Sequence, residues 1–193
     1  RPDQGELGPA PEGGDGRDRE SRQQEGLGDA DDYTQAESAF SKAIQLDPHI
    51  VEARVLMVFI YLSRGEKQKA RASVARLQQE APNDGSFHFV KATLSRLDGE
   101  YDQALKSWEK LGRLDPAARV VASYNRARIF MYQGRYDDAL YEISRGSEIE
   151  PDHPLLKVFR ARVLYYRGQI DEAISLITEV LTKNPQLYGI QPI

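Results

Sequence analysis

Cysteine is absent from this 193-residue chain, which removes disulfide staples, cysteine-based zinc sites and a thiol nucleophile from consideration. Nowhere do ~18 apolar residues run together, so nothing reads as a membrane span. The chain opens on Arg1, and no basic start leads into an apolar stretch, so no intact signal peptide is expected. Histidine is scarce. His49 and His153 stand beside prolines in turns, His88 is alone on a helix, and none has a carboxylate or second histidine at ligand spacing. No nucleophile elbow or dinucleotide fingerprint occurs in the repeats. The run Gly13-Gly14-Asp15-Gly16 is not a phosphate loop, because no strand precedes it and no Gly-Lys-Ser/Thr follows. Neither an enzyme nor a cofactor or metal ion is therefore expected. Paired acids such as Asp137–Asp138 have a simpler role at helix starts.

Strong charge of one sign is also lacking where it would matter. The chain holds 26 basic and 30 acidic residues. Residues 1–32 contain ten acids and four arginines, leaving 22 bases and 20 acids for everything after them. That remainder is nearly neutral, so no global field steers it to nucleic acid or anionic lipid. Residues 1–28 carry seven glycines and three prolines, with Leu7 and Leu27 as almost their sole large apolar side chains. Such a segment buries too little surface to offset its ordering entropy, so a disordered acidic leader or linker is expected there.

From residue 29 the composition changes, and internal repetition dominates. Prolines stand at 48, 82, 116, 151 and 185, and alanines at 36, 70, 104, 139 and 173. Glycines at 65, 99, 134 and 168 keep the same step of 34, with one 35-residue slip near Ala118. Each marker has a physical role. Glycine adopts the left-handed cap that ends a helix. Acids at Asp102, Asp137–Asp138 and Asp171–Glu172 open the next helix, complementing its dipole. Proline then stops that helix, and the alanine sits where two helices approach closely. The half-repeat of about 13 residues predicts a hairpin of ~20 Å helices. Alone it cannot bury its apolar face; stacking makes the core.

These residues resemble the tetratricopeptide repeat (TPR). The fourth unit matches best, through Ala127, Phe130, Gly134, Tyr136, Ala139, Ile143 and Pro151. The third supplies Ala92, Gly99, Tyr101, Ala104, Trp108 and Pro116, and the fifth Ala161, Leu164, Gly168, Ile170, Ala173, Ile177 and Pro185. Val58, Tyr61, Gly65, Ala70, Val74 and Pro82 mark the second, whereas Tyr33, Ala36, Phe40, Ala43 and Pro48 mark only the second helix of the first. The expected organisation is a leader at 1–28 and an array at 29–187. That array comprises a half repeat at 29–50 and repeats at 51–84, 85–118, 120–153 and 154–187, and residues 188–193 begin a further unit. The resemblance implies an all-α, right-handed superhelical solenoid that binds a protein or peptide in its concave groove.

In that family the groove is lined by the first helix of each unit. Carried onto this sequence, its positions fall on Val55, Phe59 and Leu62, then Phe89, Thr93 and Arg96. Tyr124, Asn125, Arg128 and Tyr132 follow, then Phe159, Arg162 and Tyr166. Helical spacing independently places the fifth, ninth and twelfth positions on one stripe. Aromatic rings and arginine forks suit an extended or helical segment carrying apolar and acidic residues. The lysine–asparagine clamp of chaperone-tail binders and the asparagine ladder of the O-linked sugar transferases are each matched only by Asn125. Arg126 and Arg160, at a position usually apolar, are expected to snorkel toward solvent. The run Arg64, Lys67, Lys69, Arg71, Arg76 lacks interleaved aromatics and reads as a solvated helix face, not an RNA site.

Two other readings stand beside the peptide scaffold. Ile174, Ile177, Val180 and Leu181 on the final helix have no evident cover, which would suit self-association through an uncapped end. The half-repeats at the ends would also suit a regulatory segment of a larger protein. No feature marks a compartment, and a soluble, cytoplasmic chain is the expectation.

Overall fold

The computed structural model describes residues 30–185. The acidic leader expected at 1–28 and the further repeat begun at 188–193 lie outside the described residues. The chain divides into two compact units, Arg1–Ala39 and Phe40–Ile193. Of the first, only 30–39 are described, and they form the opening turns of α1 (Ala30–Leu46).

The second unit continues as eight further helices among the described residues: α2 (Val51–Ser63), α3 (Lys67–Glu80), α4 (Gly85–Leu97), α5 (Tyr101–Leu114), α6 (Arg119–Tyr132), α7 (Tyr136–Ile149), α8 (Pro154–Tyr166) and α9 (Ile170–Lys183). No strand occurs among them. Consecutive helices pair as hairpins, α2 on α3, α4 on α5, α6 on α7 and α8 on α9, and each hairpin packs on the next.

The hairpin turns are alike in chemistry. Gly65, Gly99, Gly134 and Gly168 take φ between 71° and 89°, a left-handed conformation that is strained for residues bearing Cβ. The amide after each glycine donates to a carbonyl five residues back: Glu66 to Tyr61 (2.8 Å), Glu100 to Ser95 (2.8 Å), Arg135 to Phe130 (2.9 Å) and Gln169 to Leu164 (2.9 Å). With the glycine amide reaching the carbonyl three back, this is the Schellman cap that satisfies otherwise orphaned carbonyls. At the other end of the hairpin, Asp84 caps α4 by accepting from the Ser86 and Phe87 amides. The 35-residue step has a local cause as well. Asp115 accepts from the Ala117 amide at 2.9 Å, and Pro116–Ala118 form a 3-10 turn that accommodates the extra residue.

Within the second unit, stacking produces core clusters shared between neighbouring hairpins. Val55 and Val58 of α2, Ala70, Val74 and Leu77 of α3, and Phe87, Val90 and Leu94 of α4 form the first cluster. Ala92, Ala104, Trp108, Leu111, Ala122 and Ile129 form the next, and Ala127, Phe130, Ala139, Ile143, Phe159 and Val163 the third. Every cluster therefore takes one hairpin plus the first helix of its neighbour. The repeated alanines 70, 104 and 139 are fully buried, as close helix approach requires.

Two helical glycines illustrate how tightly that approach is set. Alanine at either would gain about 1 kcal/mol of helix propensity. At Gly146, however, a Cβ would lie 3.0 Å from Leu156 Cδ1 and 3.4 Å from Ser123 Cβ. Leu156 is itself buried, so overpacking of about 1–3 kcal/mol outweighs the gain. At Gly112 the nearest atom would be Ala122 Cβ at 3.5 Å, an ordinary contact. Gly146→Ala is thus expected to lower the urea midpoint and Gly112→Ala to raise it. Equal signs for the two would show that packing is looser than these distances imply.

Candidate functional site

The expected positions lie on the first helices α2, α4, α6 and α8, and ring contacts join α2 to α4 and α6 to α8. Phe59 of α2 meets Phe89 of α4 edge to face, with centroids 5.8 Å apart, and Phe89 meets Trp108 at 5.1 Å. Phe59 remains over one-third exposed while Trp108 is buried, so this aromatic chain runs from the surface into the core. Farther along, Tyr124 of α6 stands edge to face on Phe159 of α8 at 5.0 Å.

Cations overlie these rings. Arg128 lies 5.6 Å above the Tyr124 ring, and Arg162 lies 5.9 Å from that of Phe159. Arg128 Nη2 donates to the Tyr132 hydroxyl at 3.4 Å. That hydrogen bond, reinforced by the charges of Arg128, Arg96 and Arg162, holds the Tyr132 phenol below its ordinary pKa against an opposing effect of burial. Arg128 alone bonds that hydroxyl, while Arg96 and Arg162 on the adjoining first helices act on it through their charge. Among the described residues, no carboxylate forms an ion pair with any of the three.

The remaining expected positions are more varied. Tyr132 and Tyr166 are about half exposed, the latter edge to face with Tyr165. The Thr93 hydroxyl donates to the Phe89 carbonyl at 2.9 Å, and the Asn125 amide to the Val121 carbonyl at 2.9 Å. Each keeps acceptor capacity for a ligand. Two side chains depart from expectation. Phe159 is only 3 % exposed: it underlies the face as core between α6 and α8, because its ring fills the gap beside Tyr124. Val55 is likewise buried, in the cluster that α2 forms with α3 and with α4 of the next hairpin.

Arg126 is a correction of another kind. It does not snorkel. Its Nη2 reaches Glu142 Oε1 at 2.8 Å and its Nη1 reaches Glu109 Oε2 at 3.4 Å. Glu142 is 2 % exposed, so its charge needs a buried partner, and Arg126 supplies it. Arg160, by contrast, is exposed. Val180 is buried and does not belong to the uncovered face of α9, whereas Ile174 is more than half exposed. Sequence reasoning also missed Arg54, which is buried and donates to the Pro48 carbonyl and to Glu80 at 3.0 Å. Among the basic run, Lys69 pairs with Glu66, Arg71 with Asp98 and Arg76 with Glu80. No group of three or more metal-ligating side chains occurs among the described residues, and none of the described helices is long and apolar enough to cross a membrane.

Stacked hairpins that share core clusters, each closed by a glycine cap, define a helical-repeat protein. The sequence model of the tetratricopeptide repeat matches residues 29–94, and a second model of the same repeat matches 91–146 and 124–188. The chain belongs to the tetratricopeptide repeat family, whose units are generally protein-interaction modules, and its fold is an all-α solenoid. No curated protein sequence matches closely enough to count as a relative. Among solved structures, the chain is similar to MamA, with TM-score 0.63 and 17 % identity over 91 % of this chain and 93 % of that one. It is similar to TTC0263, a thermophilic TPR protein of Thermus thermophilus, with TM-score 0.65 and 21 % identity over 79 % and 84 %. It is also similar to YrrB, described as a TPR protein with an unusual peptide-binding site, with TM-score 0.58 and 18 % identity over 76 % and 75 %. At such identities the likeness concerns the fold alone.

Proposed function

We propose that this protein holds a segment of another protein against the face of its first helices, and that the segment carries acidic and apolar residues. The observation behind this reading is that Arg128 bonds the Tyr132 hydroxyl and stacks on Tyr124, that the charges of Arg96 and Arg162 also act on that hydroxyl, and that none of the three has an ion-paired carboxylate among the described residues. Like charges on neighbouring helices repel, so an anionic partner relieves a cost as well as making contacts. Phe59, Phe89, Tyr124 and Tyr166 supply aromatic area at small entropy cost, while Thr93 and Asn125 offer acceptors. Phe159 supports this surface from beneath. The array on which these helices stack is read as four full repeats, 51–84, 85–118, 120–153 and 154–187, after a half repeat at 29–50.

The test is selection from a randomised peptide library on the immobilised protein, followed by fluorescence anisotropy with the selected peptides. Enrichment of Asp or Glu together with aromatic or aliphatic residues is expected. Arg128→Glu combined with Arg162→Glu should weaken binding at least ~100-fold, since two charge-assisted contacts become repulsive. Helicity by circular dichroism should not change, because neither side chain is part of the core. Binding retained by the double variant would eliminate this face.

A further inference from the structure

A cleft of about 400 Å³ opens between α5, α6 and α7, among them Trp108, Arg119, Arg126 and Glu142. It is built differently from the first-helix face. Four arginines and three glutamates line it, yet the acids are largely used up by internal pairs. Glu142 accepts from Arg126 and Arg145, and Glu109 from Arg113 and Arg126. Of these acids Glu148, which is exposed, has no such partner among the described residues.

What is left over is mostly donors. Among the described residues, the indole Nε1–H of Trp108 and the Nε–H of Arg126 are buried with no hydrogen-bond partner. Trp108 is 1 % exposed. Arg119 uses only its Nε, on the Gly112 carbonyl at 3.2 Å, and makes no ion pair among the described residues. A buried unpaired N–H is costly, which makes two of them, on residues that line one cleft, an unusual arrangement for a purely structural feature. Such an inventory is complementary to a ligand that brings acceptors and a single negative charge, because four cations against three anions leave one charge unmatched.

We propose that this cleft is a second binding site that takes an oxyanion, the carboxylate of an acidic residue or a phosphate group, with Trp108, Arg119 and Arg126 as its donors. Trp108 joins the cleft to the rest of the array. Its ring packs on Phe89, so an occupant of the cleft is linked by one side chain to the aromatic row on the first-helix face.

Because Trp108 is the only tryptophan, its indole N–H gives a single side-chain resonance in the nitrogen-15 spectrum of the full chain. Inorganic phosphate and acetate are titrated separately at fixed pH, with chloride holding ionic strength. A saturable shift of that resonance is expected with at least one of them. Response to phosphate alone assigns a phosphate ligand, and response to acetate assigns a carboxylate. Arg119→Gln, at an exposed position outside the Glu109 and Glu142 pairs, should weaken the response about tenfold or more. The Arg128→Glu, Arg162→Glu variant should leave it unchanged, separating this cleft from the first-helix face. A drift no larger than that produced by chloride, or one untouched by Arg119→Gln, would overturn the proposal. In that case a trapped water satisfies the two buried donors.

Discussion

Replacing Glu142 by leucine is expected to destabilise the array by about 3–5 kcal/mol, the range for breaking a buried ion pair from one side. The carboxylate is 2 % exposed and sits 2.8 Å from Arg126. Its removal leaves a guanidinium that is itself 16 % exposed with Glu109 at 3.4 Å as its remaining acidic partner. That partner is 43 % exposed, and a solvent-screened contact of this length replaces little of what is lost. The control is the double variant Arg126→Leu, Glu142→Leu. It buries no charge, and exchange of a buried pair for apolar residues is commonly neutral or stabilising. Urea midpoints should therefore fall steeply for the single variant and recover for the double. A single variant as stable as the double would mean that Glu142 is solvated in ways its burial excludes.

Loss of the Trp108 ring should produce an effect of similar size. Trp108→Ala removes a side chain that is 1 % exposed and touches a cluster drawn from three helices, so about 3–5 kcal/mol is expected from lost transfer energy and the cavity. Trp108→Phe keeps most of the ring, and it deletes an N–H that has no partner, so no hydrogen bond is lost with it. The same reasoning ranks the aromatic row. Phe59 is 36 % exposed, and Phe59→Ala should cost about 1 kcal/mol at most, since only part of its area is buried. A double-mutant cycle between Phe89 and Trp108 should return about 0.5–1.5 kcal/mol for their edge-to-face contact. Melting curves followed by circular dichroism distinguish these cases. Comparable losses for Phe59→Ala and Trp108→Ala would contradict the burial gradient.

Much of the fold is legible in the chain because its periodic markers act locally. A glycine that must take positive φ, a proline that blocks a helix and an alanine between close helices each impose one conformation wherever they recur. The 35-residue slip is visible as well, but its form is not. That one extra residue becomes a 3-10 turn depends on the Asp115 side chain and on where α6 must begin to meet α5.

The polar interior is harder to see. Ala139, Glu142, Ile143 and Gly146 fall on one helical stripe by spacing alone, which makes Glu142 an acid among inward-facing residues. Arg126 likewise stands at a position usually apolar. Two misplaced charges of opposite sign in successive helices are the sign of a buried pair. Each read alone suggests a side chain reaching for water, and only their distance joins them. Phe159 shows the opposite case. An aromatic at a groove position has the same pattern whether it meets a ligand or the next hairpin, and its 3 % exposure resolves the choice.

Sequence by itself determined the class of fold, the period, the helix ends and the residues eligible for the first-helix face, since these rest on backbone conformation and on spacing along a helix. Tertiary structure alone decided which eligible side chains remain in reach of a partner, which charges are spent on one another and which donors are left unused. Those outcomes depend on distances between residues that lie 16 to 27 positions apart in the chain, as in Arg126–Glu142 and Arg71–Asp98. Helical periodicity carries no information about separations of that kind; the stacking of one hairpin on the next sets them.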